Sequence, residues 1–167
     1  MKKILSLTLA LAMLGTALAG CGTKNAAAQT PTESTQQTAP VQQEQSQTEK
    51  ALALINTFAT GDTDTARSLL SDGYIQHNLA YGTGADAFIG SVEYLASADV
   101  KTTVNNIRAF EDGDKVFLQT IYNFAGAGEQ VAFDIFRFDE DGKIAEHWDV
   151  METIADQSTW QNQNGKF

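Results

Sequence analysis

The chain has one cysteine, Cys21, two prolines and two histidines in 167 residues. A single thiol excludes an intramolecular disulfide, so a packed core must hold any domain together. His77 and His147 stand 70 positions apart in a chain with no local metal-ligand spacing. Two histidines with Asp134 would complete a facial triad only by chance of folding, and no metal is expected. Basic residues are scarce as well: 11 Lys and Arg face 21 Asp and Glu, for a net charge of −10. That balance disfavours nucleic acid and anionic lipid as partners. No glycine-rich phosphate loop follows a strand, and no serine has an evident base partner, so no cofactor is expected. The longest uncharged apolar run, Ile4 to Leu18, holds about 15 residues and falls short of the ~20 that a spanning helix needs.

What the N-terminus does contain is Met1-Lys2-Lys3, that apolar run, and Leu18-Ala19-Gly20-Cys21. A basic start, an apolar core and small residues before a cut site describe a secretory signal over residues 1–20. "LAGC" resembles the bacterial lipobox. The resemblance implies that Cys21 becomes the first mature residue and carries lipid. The expected location is the extracytoplasmic face of the cell membrane, with the membrane a partner through that anchor. Each buried lipid methylene adds about 0.8 kcal/mol. Residues 21–48 are rich in Gln and Thr and hold both prolines. No apolar period offsets the ordering entropy, and a flexible tether of roughly 30 Å span is expected.

Residues 49–167 carry 8 Lys and Arg against 19 Asp and Glu and suit one domain. Leu52, Ile55, Phe58 and Ala59 give a helical stripe that Gly61 ends, and Asp62 caps a second helix reaching Leu70. Asp72-Gly73 breaks that helix, and "YIQHN" reads as extended. A third helix follows the "YGTG" turn, with Phe88, Val92 and Leu95 on one side. The remainder is strand-rich, with turns at Asp112-Gly113, Gly126-Ala127-Gly128 and Asp141-Gly142. Three helices followed by a meander predict an α+β fold. Its helices should pack on a curved antiparallel sheet of about four main strands and leave a pocket.

"YIQHN" together with "DIFRFDEDGKIAEHWDV" resembles the SnoaL-like branch of the NTF2-like superfamily. The resemblance implies a cone-shaped barrel, a cavity between helices and sheet, and often a homodimer packed through the sheet. The branch is named for polyketide cyclases, which close a ring by aldol condensation without metal or cofactor. Their acid/base aspartate matches Asp134. Relatives often carry histidine where Gln119 stands, and Gln-Pro where Met151-Glu152 stand. Gln119 can still donate a hydrogen bond to an oxyanion.

The residues themselves add the following. Asp134 alternates with Ala132, Phe136 and Phe138, so it faces phenyl rings and poor solvation. A carboxyl so placed can move a proton. The alternative is a structural carboxylate paired with Arg108, Arg137 or a backbone amide. The family resemblance implies that His77 and Asn78 sit at the cavity mouth, where His77 either shuttles a proton or fixes a loop. In "EHWDV", alternation separates Glu146, Trp148 and Val150 from His147 and Asp149, and both sets contain polar groups. Trp148 offers a flat surface for a ligand or for packing. His147 lines the site or staples strands with Asp149. The candidate catalytic residues are thus Asp134 and His77. Asn78, Gln119, Phe136, Trp148 and His147 are the candidate ligand contacts, with Phe88, Phe117 and Phe138 excluding water. The expected partner is a small apolar molecule. The expected role is its binding, with cofactor-free acid/base chemistry or without turnover, or else a protein-interaction module.

Overall fold

A computed structural model describes residues 44–167. The expected signal peptide, Cys21 and nearly all of the tether lie outside the described residues. The domain begins slightly earlier than Glu49. Ser46 accepts from the Glu49 amide, and the Glu49 carboxylate accepts from the Ser46 amide, a reciprocal cap that starts helix α1 (Gln47–Thr60). Gly61 closes it in the left-handed region, at φ 74°. Asp62 then caps α2 (Thr63–Leu69), accepting from the Thr65 amide at 2.9 Å. Helix α3 spans Ala85–Ser97. No helix among the described residues is long and apolar enough to cross a membrane.

The sheet has five strands in the order β1-β5-β4-β3-β2. Strands β2 (Thr103–Asp112), β3 (Lys115–Asn123), β4 (Gln130–Phe138) and β5 (Ile144–Thr153) form the expected antiparallel meander. The fifth strand corrects the sequence reading. Strand β1 (Leu70–Gln76) starts where α2 ends and pairs parallel to β5, with Gln76 opposite His147. Asp72 and Gly73 do not separate a helix from an extended piece. They lie inside the strand, at a register irregularity between Leu70 and Ile75.

Period two sorts the sheet into two faces. Val116, Leu118, Thr120 and Tyr122 of β3 point inward with Ala132, Asp134 and Phe136 of β4, and all are buried. Ala51, Leu54 and Ile55 of α1 and Phe88, Ile89 and Val92 of α3 cover that face. The buried stripe of α1 therefore runs one position away from the expected Leu52, which is only half-buried. The outer face differs. Phe110, Phe117, Phe133 and Val150 are exposed there. The chain beyond β5 returns to this face, where Gln119 Nε2 donates to the Lys166 carbonyl at 2.8 Å.

Candidate functional site

The helices do not fill the sheet's concavity. A cavity of about 690 Å³ remains between α1, α3 and the inner face of β1, β3, β4 and β5. Aromatic rings make its walls: Phe58, Tyr74, Phe88, Tyr122 and Phe124. They pack on one another, with Phe58 and Phe88 centroids 4.9 Å apart and Tyr122 and Phe124 stacked at 4.9 Å. At one end the wall turns polar, with Gln76, Asp134, His147 and Asp149.

Four segments assemble that polar end. Asp134 on β4 is 4 % exposed. Both its oxygens accept: Oδ2 from the Tyr122 hydroxyl at 3.0 Å, Oδ1 from His147 Nε2 at 3.2 Å. Phe136 stacks on the His147 ring at 4.3 Å and 11°, because the two are cross-strand partners. Behind the ring, Gln76 Nε2 lies 2.9 Å from His147 Nδ1. The amide of Gln76 has a fixed orientation, since its Oε1 accepts from the Asn78 backbone amide at 2.9 Å. Its NH₂ therefore donates to Nδ1, and the ring hydrogen sits on Nε2, aimed at Asp134. Asp149 is the cross-strand partner of Asp134. Its Oδ1 accepts from Asn78 Nδ2 at 2.6 Å. Among the described residues Oδ2 accepts no hydrogen bond, and His147 Nε2 lies 3.9 Å from it.

Burial is the main electrostatic force here. It pushes the Asp149 carboxyl upward, and the Asp134 charge adds to that, while His147 and the Asn78 hydrogen bond oppose it. Burial raises the Tyr122 phenol well above its ordinary value, reinforced by the charge and hydrogen bond of Asp134. Tyr74 is raised by burial first, then by Asp149 and Asp134.

Asp134, His147 and Asp149 bring potential ligand atoms within 4.8 Å of one another. The donor chemistry does not suit an ion. The Gln76 amide holds the hydrogen on Nε2, the nitrogen that faces both carboxylates, and so leaves it no lone pair.

A family model describing the SnoaL-like domain matches residues 51–147, more than half of the chain and most of the residues that line the cavity. The chain belongs to the SnoaL-like family. Solved structures agree on the fold of this SnoaL-like domain. An NTF2-like protein of unknown function from Cytophaga hutchinsonii is 16% identical, with a TM-score of 0.57 over 66% of this chain and 94% of its own. A putative polyketide cyclase from Bacillus cereus is 15% identical, with a TM-score of 0.55 over 64% and 74% of the two chains. An epoxide hydrolase of the LEH-like type from M. tuberculosis is 18% identical, with a TM-score of 0.54 over 62% and 80%. These likenesses show the NTF2-like α+β cone. No curated protein matches the chain.

The SnoaL-like domain brings together some of the residues expected from sequence and separates others. Asp134 and His147 line the cavity. Asn78 reaches it indirectly, by holding Asp149. Phe136 lies behind the site as the platform for His147, and Phe138 is buried in the core. Phe88 lines the cavity wall. His77, Trp148, Gln119 and Phe117 require correction. His77 follows Gln76, which takes the inward position, so period two sends His77 outward. There it stacks on Trp148 at 4.3 Å and 5° and bonds Glu146 Oε2 at 2.9 Å. Arg137 grips the same carboxylate from β4 at 2.6 Å, so it is not the partner of Asp134. His77 first, then Arg137, holds the Glu146 carboxyl below its usual range. Gln119 and Phe117 alternate with the inward Leu118 and face outward, Gln119 against the chain's end.

Tyr122, Gln76 and Tyr74 were not singled out by sequence. One signal pointed to Tyr122. It is a polar ring in the otherwise small or apolar set Val116, Leu118 and Thr120.

Proposed function

We propose that this SnoaL-like domain captures a small, largely apolar carbonyl compound and moves a proton on it without metal or cofactor. The observation that carries the reading is a buried aspartate, Asp134, lining an aromatic cavity with Tyr122 and His147 donating to its two oxygens. In this reading Asp134 takes a proton from the carbon beside the carbonyl. The C–H electrons become the enol double bond, and the carbonyl oxygen receives a hydrogen from the Asp149 carboxyl, which burial favours in its protonated form. Returning the proton at another carbon gives an isomer. Attack of the enol carbon on a second carbonyl closes a ring: that C=O bond's π electrons pass to its oxygen, which takes the proton held by Asp134, while the enol hydroxyl returns its proton to Asp149 and its C=O bond re-forms. The rings of Phe58, Phe88 and Phe124 exclude water and strengthen each of these contacts.

Binding without turnover is the second reading. It is favoured by the engagement of both Asp134 oxygens and by the 4 % exposure of that residue. Beta-tetralone, an enolisable bicyclic ketone, separates the two. Proton transfer predicts protein-dependent deuterium uptake at its α-carbons in heavy water, followed by NMR. Saturable binding with uptake no faster than in buffer leaves only the second reading. Absence of binding by this probe, with no small molecule retained in native mass spectrometry, defeats both.

The lipobox resemblance supports presentation of the domain from a membrane by a lipid on Cys21. The full chain is then expected in the detergent phase after phase partition, and Cys21→Ala in the aqueous phase. Equal partition of the two proteins removes the anchor from the proposal.

A further inference from the structure

The cavity has an electrical character that its shape does not convey. Asp134 and Asp149 both line it, and among the described residues no Lys or Arg does. Nearby cations are committed elsewhere. Arg137 is bound to Glu146 on the outer face, Lys101 donates to the Ala96 and Ala98 carbonyls, and Lys50 donates to the Gly142 carbonyl. The Asp149 side chain is 4 % exposed, and its Oδ2 accepts no hydrogen bond from the described residues. That oxygen is an open acceptor at the polar end of a chamber walled by Tyr74, Phe88, Tyr122 and Phe124. An anion placed here meets carboxylates and the negative faces of aromatic rings. A cation meets attraction from both.

We infer that the cavity selects organic cations: its ligand carries a protonated amine, seated on Asp149 Oδ2, on an apolar body held among the rings. This rests on the reading that the cavity holds a small molecule and names the class of that molecule. It is compatible with proton transfer on an amino ketone. The Asp149 carboxyl ionises against the ammonium, and an ammonium N–H takes over as donor to the carbonyl oxygen. Carboxylates and phosphate esters are the disfavoured class.

Three probes on one skeleton test the inference: aminotetralin, tetralol and tetralin carboxylate, titrated calorimetrically into the full chain at neutral pH. The amine is expected to bind roughly ten-fold or more tightly than the alcohol, about the sum of one cation–π contact and one sheltered ion pair. The carboxylate is expected to bind most weakly. In Asp149→Asn the amine should bind no tighter than the alcohol, and Asp149→Glu should keep the order. The advantage should also shrink on acidification. Burial raises the Asp149 pKa, and the groups that face it are Asp134, His147, Tyr74 and Tyr122. Alcohol and amine of equal affinity would overturn charge selection yet leave the binding reading intact. A carboxylate preference would do the same. Failure of all three probes to bind would overturn charge selection, and joined to absent tetralone binding and no small molecule retained in native mass spectrometry it would overturn the binding reading as well.

Discussion

Asp134→Asn lowers deuterium uptake by bound beta-tetralone by on the order of a hundred- to ten-thousand-fold, the usual contribution of a positioned general base. The substitution changes chemistry more than shape. Asparagine keeps one acceptor oxygen, which can receive His147 Nε2–H in place of Oδ1. Its NH₂ then meets the Tyr122 oxygen, and that hydroxyl can rotate to accept instead of donate. No buried polar group need lose its partner, so the thermal unfolding midpoint should stay within a few degrees of the parent. What vanishes is the group that can take up a proton. Uptake that persists at the parent rate in a folded Asp134→Asn protein removes Asp134 from the mechanism. A large loss of thermal stability would instead show that the carboxylate is chiefly a structural acceptor.

The largest stability effect is expected at Phe136. Its side chain is fully buried and touches His147 on one side and the apolar interior on the other. Truncation to alanine should cost about 3–5 kcal/mol, combining lost transfer energy with a cavity that the rigid sheet cannot close. Urea unfolding measures it, as a lower midpoint with an unchanged slope. The same change removes the surface on which the imidazole lies, so tetralone affinity should fall as well. Phe136→Leu refills most of the volume without the flat ring. It should recover stability more than affinity. A loss below about 1 kcal/mol in Phe136→Ala would mean that the core closes around the gap.

Local chemistry made much of the fold readable. Gly61 and Asp62 mark helix ends through caps that act within a few residues, and the structure places the ends there. Gly113 and Gly142, both at positive φ, mark two of the three turns of the meander. The alternation around Asp134 faces it into the interior because Ala132 and Phe136 share its side. The parallel pairing of β1 with β5 has no comparable signal, since nothing near residue 75 records a partner near residue 146.

The candidate site shows the same divide. In "EHWDV" the two alternating sets hold similar polarity, so periodicity alone could not choose a face. The choice is made by Phe136, which stacks on His147, and by Asn78, which binds Asp149. His77 was misplaced for a related reason. A one-residue difference in register exchanges the faces of a strand, and Gln76 occupies the inward position. Gln119 lost its expected role by the same rule. Tyr122 depends on a hydrogen bond between neighbouring strands that no short window of sequence contains.

The union of β1 with β5 joins groups 71 residues apart, Gln76 to His147 and Asn78 to Asp149. Closing so wide a loop is entropically slow, and it must wait for the carboxyl-terminal strand to arrive. During synthesis the helices and the first hairpin can gather early, but the polar end of the chamber is completed last. Until then the aromatic rings lie open and the chain is sticky, a period in which a holding chaperone would be of most use.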